Sequence, residues 1–495
     1  MFIYILALLA ITLFYNYFWK RRKLPPGPPP LPLVGNVHTL SQQERWEDKF
    51  IEWSKTYGPT FTYWLGELPV IAICEFADMQ KFFVKQSEHF SDRYRTPVDN
   101  LYAGNWGIAL ANGDSWREQR RFALKILRDF GLGKNQMEAR IGAEIELLLE
   151  QVNKDIDDGI ENIDFFNYTD MATGSVIGRI VLGRRFTKEH EDEFYRIKTL
   201  TSKITQSFGS PFSNLVRQNP WMLNLPIIKG RAEANKKTST ELIEYLQKHI
   251  DRHIEQTDYT QDMEPSDFVD AYLLERQKHL YAHGEEGMYS VRQLCHVCTE
   301  LWVAGQETTS SVMAWVIAFM ITYPEIQEKV HEELDRVVGN GGIIEGQYKS
   351  SLPYLNAVLV ECQRCANITG QNMLRVNTKE VEVNGMHIET NTVFVPQISV
   401  LLQDPKVFPN PEKFDPTRYL TSDGKFKQFD EFIPFSLGKR ICLGEGMAKA
   451  ELFMFTANFL NQYKFSAASN PPVLKKVDSN GIMIVPYKCK IERRY

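Results

Sequence analysis

The stretch 435–444 reads FSLGKRICLG and sets one cysteine, Cys442, in a turn between Gly438 and Gly444. The residues that follow, EGMAKAELFMFTANFL, have the apolar spacing of a helix. Glycines allow a tight turn, and the N–H groups at the start of a helix stabilise negative charge. The pattern therefore predicts a thiolate that faces a ligand. A lone cysteine is otherwise most simply a small buried apolar residue.

This stretch resembles the haem-thiolate motif of the cytochromes P450, with Phe435, Gly438, Arg440, Cys442 and Gly444 at the motif's fixed positions. The resemblance implies a mainly α-helical cytochrome P450 fold with small β-sheets, preceded by one N-terminal transmembrane helix, and haem b as the cofactor. It also implies that Cys442 is the axial ligand of the haem iron. A thiolate ligand pushes electron density toward the iron and favours O–O cleavage. Arg440 would pair with a haem propionate, and Phe435 would pack beside the sulfur.

Further segments extend the resemblance, in the expected order, over almost the whole chain. GDSWREQRRF, at 113–122, is similar to the W-x-x-x-R segment, which implies that Trp116 and Arg120 lie at a propionate. The two side chains would lie one turn apart on the same helix face. FSDR and MLRVNT place Arg93 and Arg375 where animal microsomal family-2-like P450s carry further propionate ligands.

A structural network is implied by two later motifs. ECQR, at 361–364, resembles the E-x-x-R pair, and FPNPEKFDPTRY resembles the stretch that completes its network. The resemblance implies that Glu361, Arg364 and Arg418 form this network. Taken alone, Glu361 and Arg364 at i, i+3 also form an ordinary helix salt bridge.

AGQETTSS, at 304–311, resembles the oxygen-activation motif. An acid and an alcohol are costly to bury in an apolar helix without partners, so a functional groove explains them better than core packing does. The resemblance assigns Thr308 and Glu307 to catalysis, as a relay that delivers protons while bulk water is excluded. Ala304 and Gly305 would leave room for oxygen against the helix.

These motifs imply a monooxygenase, an oxidoreductase that inserts one atom of O₂ into a small lipophilic substrate and reduces the other to water. Two alternatives stay open: a P450-like isomerase or dehydratase that acts on a peroxide, and a non-catalytic haem-binding membrane sensor or carrier. Three substrate classes stay open: xenobiotic, fatty acid and steroid-like molecules. By analogy with the family, an apolar pocket would be lined by Trp106, Ile108, Phe208, Phe212 and Leu301.

The N-terminus reads MFIYILALLAITLFYNYFW, which is apolar over about the length that a helix needs to cross a membrane, and is closed by KRRK. We predict an uncleaved anchor at 1–19, a basic and proline-rich linker at 20–36 and one catalytic domain at 37–495. A cleaved signal peptide is the alternative. The basic residues at 20–23 predict that the body is cytosolic. The resemblance implies the endoplasmic reticulum membrane.

The composition says little about partners. The 495 residues carry a net charge of −5, which gives no global attraction to nucleic acid. The chain lacks a G-x-G-x-x-G dinucleotide fingerprint, so we expect electrons from another protein. The resemblance implies NADPH, acting indirectly through NADPH-cytochrome P450 reductase, with cytochrome b5 as a further candidate donor. A basic stripe on one helix face is either a solvated surface or the reductase site; its members are Arg117, Arg121, Lys125 and Arg128.

Three local predictions concern structure. FTYWLGELPVIAI, at 61–73, predicts a β-hairpin. The apolar run SSVMAWVIAFMI, at 310–321, is too short for a second span and predicts a buried core helix. Two C-x-x-C pairs, at 295–298 and 362–365, make a zinc site conceivable, but both lie in helical patterns far apart in the chain.

Overall fold

The structure is a computed structural model that describes residues 2–102, 104–131, 135–339 and 341–495. The helices are α1 Phe2–Tyr17, α2 Val37–Leu40, α3 Trp46–Tyr57, α4 Phe76–Met79, α5 Pro97–Tyr102, α6 Gly113–Asp129, α7 Asn135–Asp157, α8 Phe165–Leu182, α9 Glu191–Gly209, α10 Pro211–Gln218, α11 Pro226–Gln256, α12 Phe268–His283, α13 Val291–Thr322, α14 Pro324–Val337, α15 Pro353–Ala366, α16 Ile398–Leu401 and α17 Glu445–Gln462. The strands are β1 Thr60–Leu65, β2 Leu68–Ile73, β3 Asp92–Arg93, β4 Ile163–Asp164, β5 Arg375–Val376, β6 Val381–Val383, β7 Met386–Ile388, β8 Val393–Pro396, β9 Tyr463–Ala467 and β10 Lys488–Arg493. The predicted fold class, mainly helical with small sheets, is confirmed.

The central element is α13, which packs against α8, α11 and α17. Its N-terminus is capped by the side chain of Ser290, which accepts a hydrogen bond from the N–H of Gln293. Residues 310–321 are all buried, as predicted for a core helix. The helix ends at Thr322, and Pro324 begins α14 at an angle of 105° to it. Proline is tolerated there because the first turn of a helix needs no backbone donor.

The largest sheet has five strands in the order β1-β2-β8-β5-β3. β1 and β2 form the predicted antiparallel hairpin, with Thr60 opposite Ile73 and Leu65 opposite Leu68. At the other edge β3 pairs with β5 in a register that sets Arg93 directly opposite Arg375. This register brings together two of the predicted propionate ligands, which are far apart in the chain.

The N-terminal helix α1 exposes its apolar side chains, and residues 2–21 are apolar over enough length to cross a membrane. The end of this segment is fixed to the body by Lys20. Its Nζ lies 2.8 Å from Glu67 Oε2 and 4.4 Å from the centre of the Trp64 ring. The linker that follows packs on the body, because the carbonyl of Pro26 accepts a hydrogen bond from the N–H of Thr62 in β1.

Candidate haem-thiolate site

The turn that carries Cys442 is held by its own backbone. The N–H of Cys442 donates to the carbonyl of Phe435 at 2.9 Å, which closes the loop. Ser436 and Gly438 have positive φ angles of 69° and 71°. A Cβ at Gly438 would lie 1.8 Å from the carbonyl oxygen of Phe83, so only glycine permits this approach. The turn then leads into α17, as predicted.

Of the seven cysteines, Cys442 alone is exposed. Burial nevertheless raises the pKa of its thiol, because surrounding atoms desolvate the sulfur. The N–H groups of Gly444 and Glu445 and the charge of Arg120 act in the opposite direction. A side chain that is both accessible and desolvated lines a recess. It is therefore placed to meet a ligand that enters the protein.

Four arginines converge near this turn. Arg440 is buried and donates to three carbonyls, with distances of 2.6 Å to Ser91, 3.0 Å to Ile108 and 2.6 Å to Ala111. Arg375 is buried, donates to the carbonyl of Leu437 at 3.0 Å, and leaves its Nε without a partner. The other two arginines, Arg93 and Arg120, are partly buried, and Trp116 packs under Arg440 at 3.7 Å.

Among the described residues, none of these four guanidinium groups has a carboxylate within ion-pair distance. Burial and the neighbouring like charges lower the pKa of Arg93 to about 10 and that of Arg440 to about 8, and hold the pKa of Arg375 well below its usual range. The Nε atoms of Arg93 and Arg375 and the Nε1 of Trp116 are buried without partners.

A buried charge without a partner is strongly destabilising, so this cluster is built to receive an anion. Arginine is also the residue best suited to pair with carboxylates. A haem carries two propionates and an iron that a thiolate binds. The residues present therefore fit haem.

A second accessible strip lies on α13. Leu301, Ala304 and Thr308 are partly or fully accessible, although the helix is otherwise largely buried. Their spacing of three and four residues places them on one face. The hydroxyl of Thr308 donates to the carbonyl of Ala304 at 2.7 Å. Gly305 is different: a Cβ there would lie 2.9 Å from Ile177 of α8, so this glycine allows close packing of two helices. Because Gly305 faces α8, its position does not support the expectation that it leaves room for oxygen.

Glu307 lies on another face of α13 and is buried. Its Oε1 lies 2.9 Å from Nζ of Lys198 and accepts a hydrogen bond from Ser202 at 2.6 Å, while its Oε2 is buried without a partner. Lys198 also lies 2.9 Å from Asp170 Oδ1, so one ammonium is shared by two carboxylates. The structure therefore ties Glu307 to α8 and α9 instead of joining it to Thr308. Lys198 and Asp170 were missed because only tertiary packing brings α8 and α9 to this position.

The structural network at α15 is formed. Glu361 and Arg364 are fully buried, with Glu361 Oε2 at 2.7 Å from Arg364 Nε. Arg418 Nε lies 3.1 Å from Glu361 Oε1, and the N–H of Asp415 donates to the same oxygen at 2.9 Å. Arg364 also donates to the carbonyl of Leu402 at 3.0 Å. This network ties α15 to the segment that precedes the Cys442 turn.

The residues expected to line a substrate pocket are only partly brought together. Ile108 lies beside the Glu300 carboxylate, which accepts a hydrogen bond from the N–H of Ile108, and Leu301 is partly accessible on α13. Trp106 stacks on His296 of α13, with ring centres 6.5 Å apart. Phe212 is 40% exposed and lies 5.8 Å from the guanidinium of Arg231, away from the others. The side chain of Phe208 lies outside the described residues.

Glu300 was missed by the sequence analysis. Its Oε2 accepts the N–H groups of Ile108 and Ala109, the latter at 2.9 Å. Burial raises the pKa of this carboxyl to about 7. Glycine is favoured at Gly107, because its φ is 82° and a Cβ there would lie 2.4 Å from the Glu300 oxygens. The sequence signal that could have identified Glu300 is its position eight residues, or about two helical turns, before Thr308.

The C-x-x-C pairs do not form a zinc site. Cys295 and Cys298 are buried in α13, and Cys362 and Cys365 lie in α15. Within the described ranges, the one group of side chains with metal-ligand spacing contains no cysteine; it consists of His253, Asp267 and Asp270.

The basic stripe lies on the solvent face of α6. Arg117 pairs with Asp114 at 2.7 Å and Arg121 with Glu118 at 3.5 Å. Lys125 and Arg128 are also exposed. An adjoining, less exposed face of the same helix carries Trp116 and Arg120, so α6 connects the surface with the arginine cluster.

Comparison with known proteins gives a consistent result. The family described as Cytochrome P450 matches residues 25–493. The chain is 34% identical to Cytochrome P450 2H2 of Gallus gallus, over 99% of this chain and 97% of that protein. It is 31% identical to Cytochrome P450 2C38 of Mus musculus, over 97% of both chains. It is 33% identical to the male-specific Cytochrome P450 2C13 of Rattus norvegicus, over 94% of both.

Proposed function

The chain belongs to the cytochrome P450 family and is a haem-thiolate monooxygenase, and from this premise we propose how its own residues serve the reaction. The cofactor is haem b, and bound haem supplies the activation of O₂ and the insertion of one oxygen atom into the substrate. The observation that carries the proposal is the accessible Cys442 thiol beside four arginines for which the described part of the chain offers no ion-pair partner.

Cys442 holds the iron, and Phe435 packs beside the sulfur. Arg440, Arg375, Arg93 and Arg120 hold the propionates. The unpartnered N–H of Trp116 and Nε atoms of Arg93 and Arg375 are the donors available for this purpose. Binding of the two carboxylates would relieve the mutual repulsion of the guanidinium groups.

Thr308 delivers a proton at the accessible face of α13, where Ala304 leaves space beside its hydroxyl. Glu307 exchanges protons with it through a rotation of the carboxylate, whose Oε2 is free of partners. Lys198 and Ser202 orient the Glu307 carboxylate. Thr308 and Glu307 are thus the catalytic pair, with Lys198 as a positioning residue.

The substrate is a small lipophilic molecule, either a xenobiotic or a molecule of the fatty-acid or steroid type. The support is the apolar character of Ile108, Leu301 and Trp106, together with the raised pKa of Glu300, which favours a neutral carboxyl at the wall of the pocket. Such a wall suits an apolar ligand with few polar groups. Glu361, Arg364 and Arg418 have a structural role only.

We place the protein in the endoplasmic reticulum membrane, with 1–19 as the anchor, 20–36 as the linker and the catalytic domain, 37–495, in the cytosol. A second apolar surface supports this orientation: Trp221 is 55% exposed and Ile227 is 82% exposed. Leu33 of the linker lies near Leu215 of α10, because both border Gly66, and α10 contacts the segment 220–224 that carries Trp221. Two apolar surfaces on one side favour a body that rests on the bilayer.

NADPH-cytochrome P450 reductase is the proposed electron donor, with cytochrome b5 as a second donor. Electron transfer partners of this kind are steered by charge. The basic stripe on α6 presents four exposed cations and adjoins the face that carries Arg120. It is the surface that we assign to an acidic donor.

The experiment that tests the proposal compares the wild type with Cys442→Ser. We expect the dithionite-reduced, carbon monoxide-bound wild type to have the red-shifted Soret band of thiolate-ligated haem, and the variant to lack it. Cys295→Ser is the matched control, because its hydroxyl can keep the hydrogen bond to the Ile243 carbonyl. With ¹⁸O₂, NADPH and reductase, one labelled oxygen should enter the product. The same band in Cys442→Ser, or turnover without NADPH, would contradict the proposal.

A further inference from the structure

A separate pocket lies between α9 and α11, with a cavity volume of about 420 Å³. It is lined by residues 192–197 on one side and 245–252 on the other. None of these residues belongs to the haem-thiolate site or to the accessible strip on α13. The pocket therefore requires its own explanation.

Three cationic side chains line this pocket: Arg196 from α9, and Lys248 and Arg252 from α11. All three are exposed, and none makes an ion pair or a side-chain hydrogen bond within the described part of the chain. Cations that converge in a concave site raise the local concentration of anions more than isolated surface charges do.

The acidic residues of the pocket do not balance these cations. Glu193 is already neutralised, because Arg184 Nη1 donates to its Oε1 at 2.8 Å and the hydroxyl of Tyr245 donates to the same oxygen at 3.0 Å. His249 accepts a hydrogen bond from Arg184 at 3.2 Å, and burial together with this charge lowers its pKa to about 4. It is therefore neutral at physiological pH. Asp192 alone opposes the three cations.

The pocket also has an apolar and aromatic wall. Ile197 is buried, and the ring of Tyr245 packs against the ring of His249 with centres 4.7 Å apart. Both helices thus contribute cationic and apolar or aromatic residues, so a ligand that fills this volume should combine negative charge with an apolar or aromatic part.

We propose that this pocket binds a small organic phosphate. Arg196, Lys248 and Arg252 would hold the phosphate, since guanidinium and ammonium groups form charge-assisted hydrogen bonds with its oxygens. Tyr245 and Ile197 would contact the organic part. A ligand in this site would contact both α9 and α11. Beyond the site, α9 continues with Lys198 and Ser202, which contact Glu307.

A phosphate could come from a soluble molecule or from a lipid headgroup. The exposed apolar residue Ile227 lies at the start of α11 and Trp221 lies just before that helix, whereas the α11 side of the pocket begins at Tyr245. At a rise of about 1.5 Å per residue, the two lie roughly 30 Å apart along the helix. The pocket is thus distant from the surface that would meet a bilayer, and the soluble source is favoured.

The test is titration calorimetry of 1-naphthyl phosphate into the haem-loaded enzyme in a neutral detergent. We expect saturable binding that is weakened about tenfold by Arg196→Gln or Arg252→Gln, because each removes a charge-assisted bond to the phosphate. Tyr245→Phe should bind nearly as well as the wild type, since the ring is kept. Inorganic phosphate and 1-naphthol should each bind more weakly than the combined probe.

Lys237→Gln is the matched control, because Lys237 is an exposed lysine of α11 that pairs with Glu241 and lies outside the pocket. Equal weakening by Lys237→Gln, or no saturable binding at millimolar probe, would overturn the proposal. Binding to vesicles that contain phosphatidic acid tests whether the phosphate belongs to a lipid headgroup. Loss of vesicle binding in Arg196→Gln with unchanged naphthyl phosphate binding would also overturn it.

Discussion

Gly438 has no side chain at the point where the Cys442 turn meets the carbonyl of Phe83. Gly438→Ala should destabilise the protein by more than about 3 kcal/mol, because it combines a positive φ with a clash that the backbone must move to relieve. We expect loss of bound haem, measured as the Soret to protein absorbance ratio after purification.

Gly424→Ala is the control for this substitution. Gly424 also has a positive φ, of 78°, but a Cβ there meets nothing within 4 Å. Gly424→Ala should lower the free energy of unfolding by only about 1–2 kcal/mol, and the variant should keep its haem. Equal haem loss in both variants would mean that the positive φ, and not the approach to Phe83, makes glycine necessary at 438.

Glu300 links stability to pH. Because burial raises its pKa to about 7, the folded state holds this proton more tightly than the unfolded chain does. Its contribution to stability is present below the ordinary carboxyl pKa and is lost as pH rises through about 7. The advantage of the wild type over Glu300→Gln, in free energy of unfolding from urea titrations, should fall by about 2–3 kcal/mol between pH 5 and pH 8. A pH-independent difference would contradict this.

At the scale of elements, Lys198 joins three helices through two buried ion pairs. Lys198→Met leaves Asp170 and Glu307 as close, buried like charges, which should destabilise the protein by about 3–5 kcal/mol. It should also lower kcat more than it raises KM and increase NADPH consumed per product, because Glu307 loses its orientation.

Lys198→Arg should keep the NADPH consumed per product close to the wild-type value, since arginine places a cation at the same position. Lys203→Met, at an exposed position of α9, is the control and should behave like the wild type. If Lys198→Met consumes no more NADPH per product than the wild type does and keeps the wild-type pH dependence of kcat, Lys198 has a structural role only.

The stripe on α6 gives a prediction for the electron donor. Arg121→Glu combined with Lys125→Glu should weaken reductase binding about tenfold at low salt, and the effect should shrink as ionic strength rises. The pair Lys229→Glu and Lys237→Glu on α11 makes the same change in net charge elsewhere. Affinity is measured by following turnover as reductase is added. If the α6 variant binds reductase as tightly as the wild type does, this face is not the reductase site.

Elements with strong local patterns were predictable, whereas those made by pairing were not. The β1–β2 hairpin and the buried run 310–321 follow from alternation and from an apolar stretch. The strands β3 and β5 are two residues long and form through pairing between distant parts of the chain, because β5 lies between β3 and β8 in the sheet. In the same way, the motif identified Glu307 and Thr308, but adjacent residues on a helix face different directions. Their partners were therefore set by packing that the motif does not encode.

For the whole molecule, the arginine cluster couples stability to the cofactor. Arg93→Met should make the haem-free protein more resistant to urea, because one of four mutually repelling charges is removed. The same variant should release haem faster, as measured by transfer to apomyoglobin, since one propionate partner is lost. Lys439→Met, at an exposed ion pair with Glu88, is the control and should change neither property. Lower urea resistance of haem-free Arg93→Met would contradict the repulsion argument.

The contacts of the N-terminal apolar segment also concern the whole molecule. Lys20 meets both Glu67 and Trp64, so the base of the apolar segment is held against the β1–β2 hairpin. The body is therefore connected to the apolar segment by contacts as well as by the linker. This restricts the directions in which the accessible face of α13 can point relative to the apolar segment.

The convergence of four guanidinium groups also bears on the life of the protein in a cell. A chain made while haem is scarce would carry these charges uncompensated, and its equilibrium would shift toward open conformations. Proteases act on such conformations, and a shift of 1–2 kcal/mol changes steady-state abundance several-fold. The amount of this enzyme would then follow haem supply through degradation alone, without any change in its transcription.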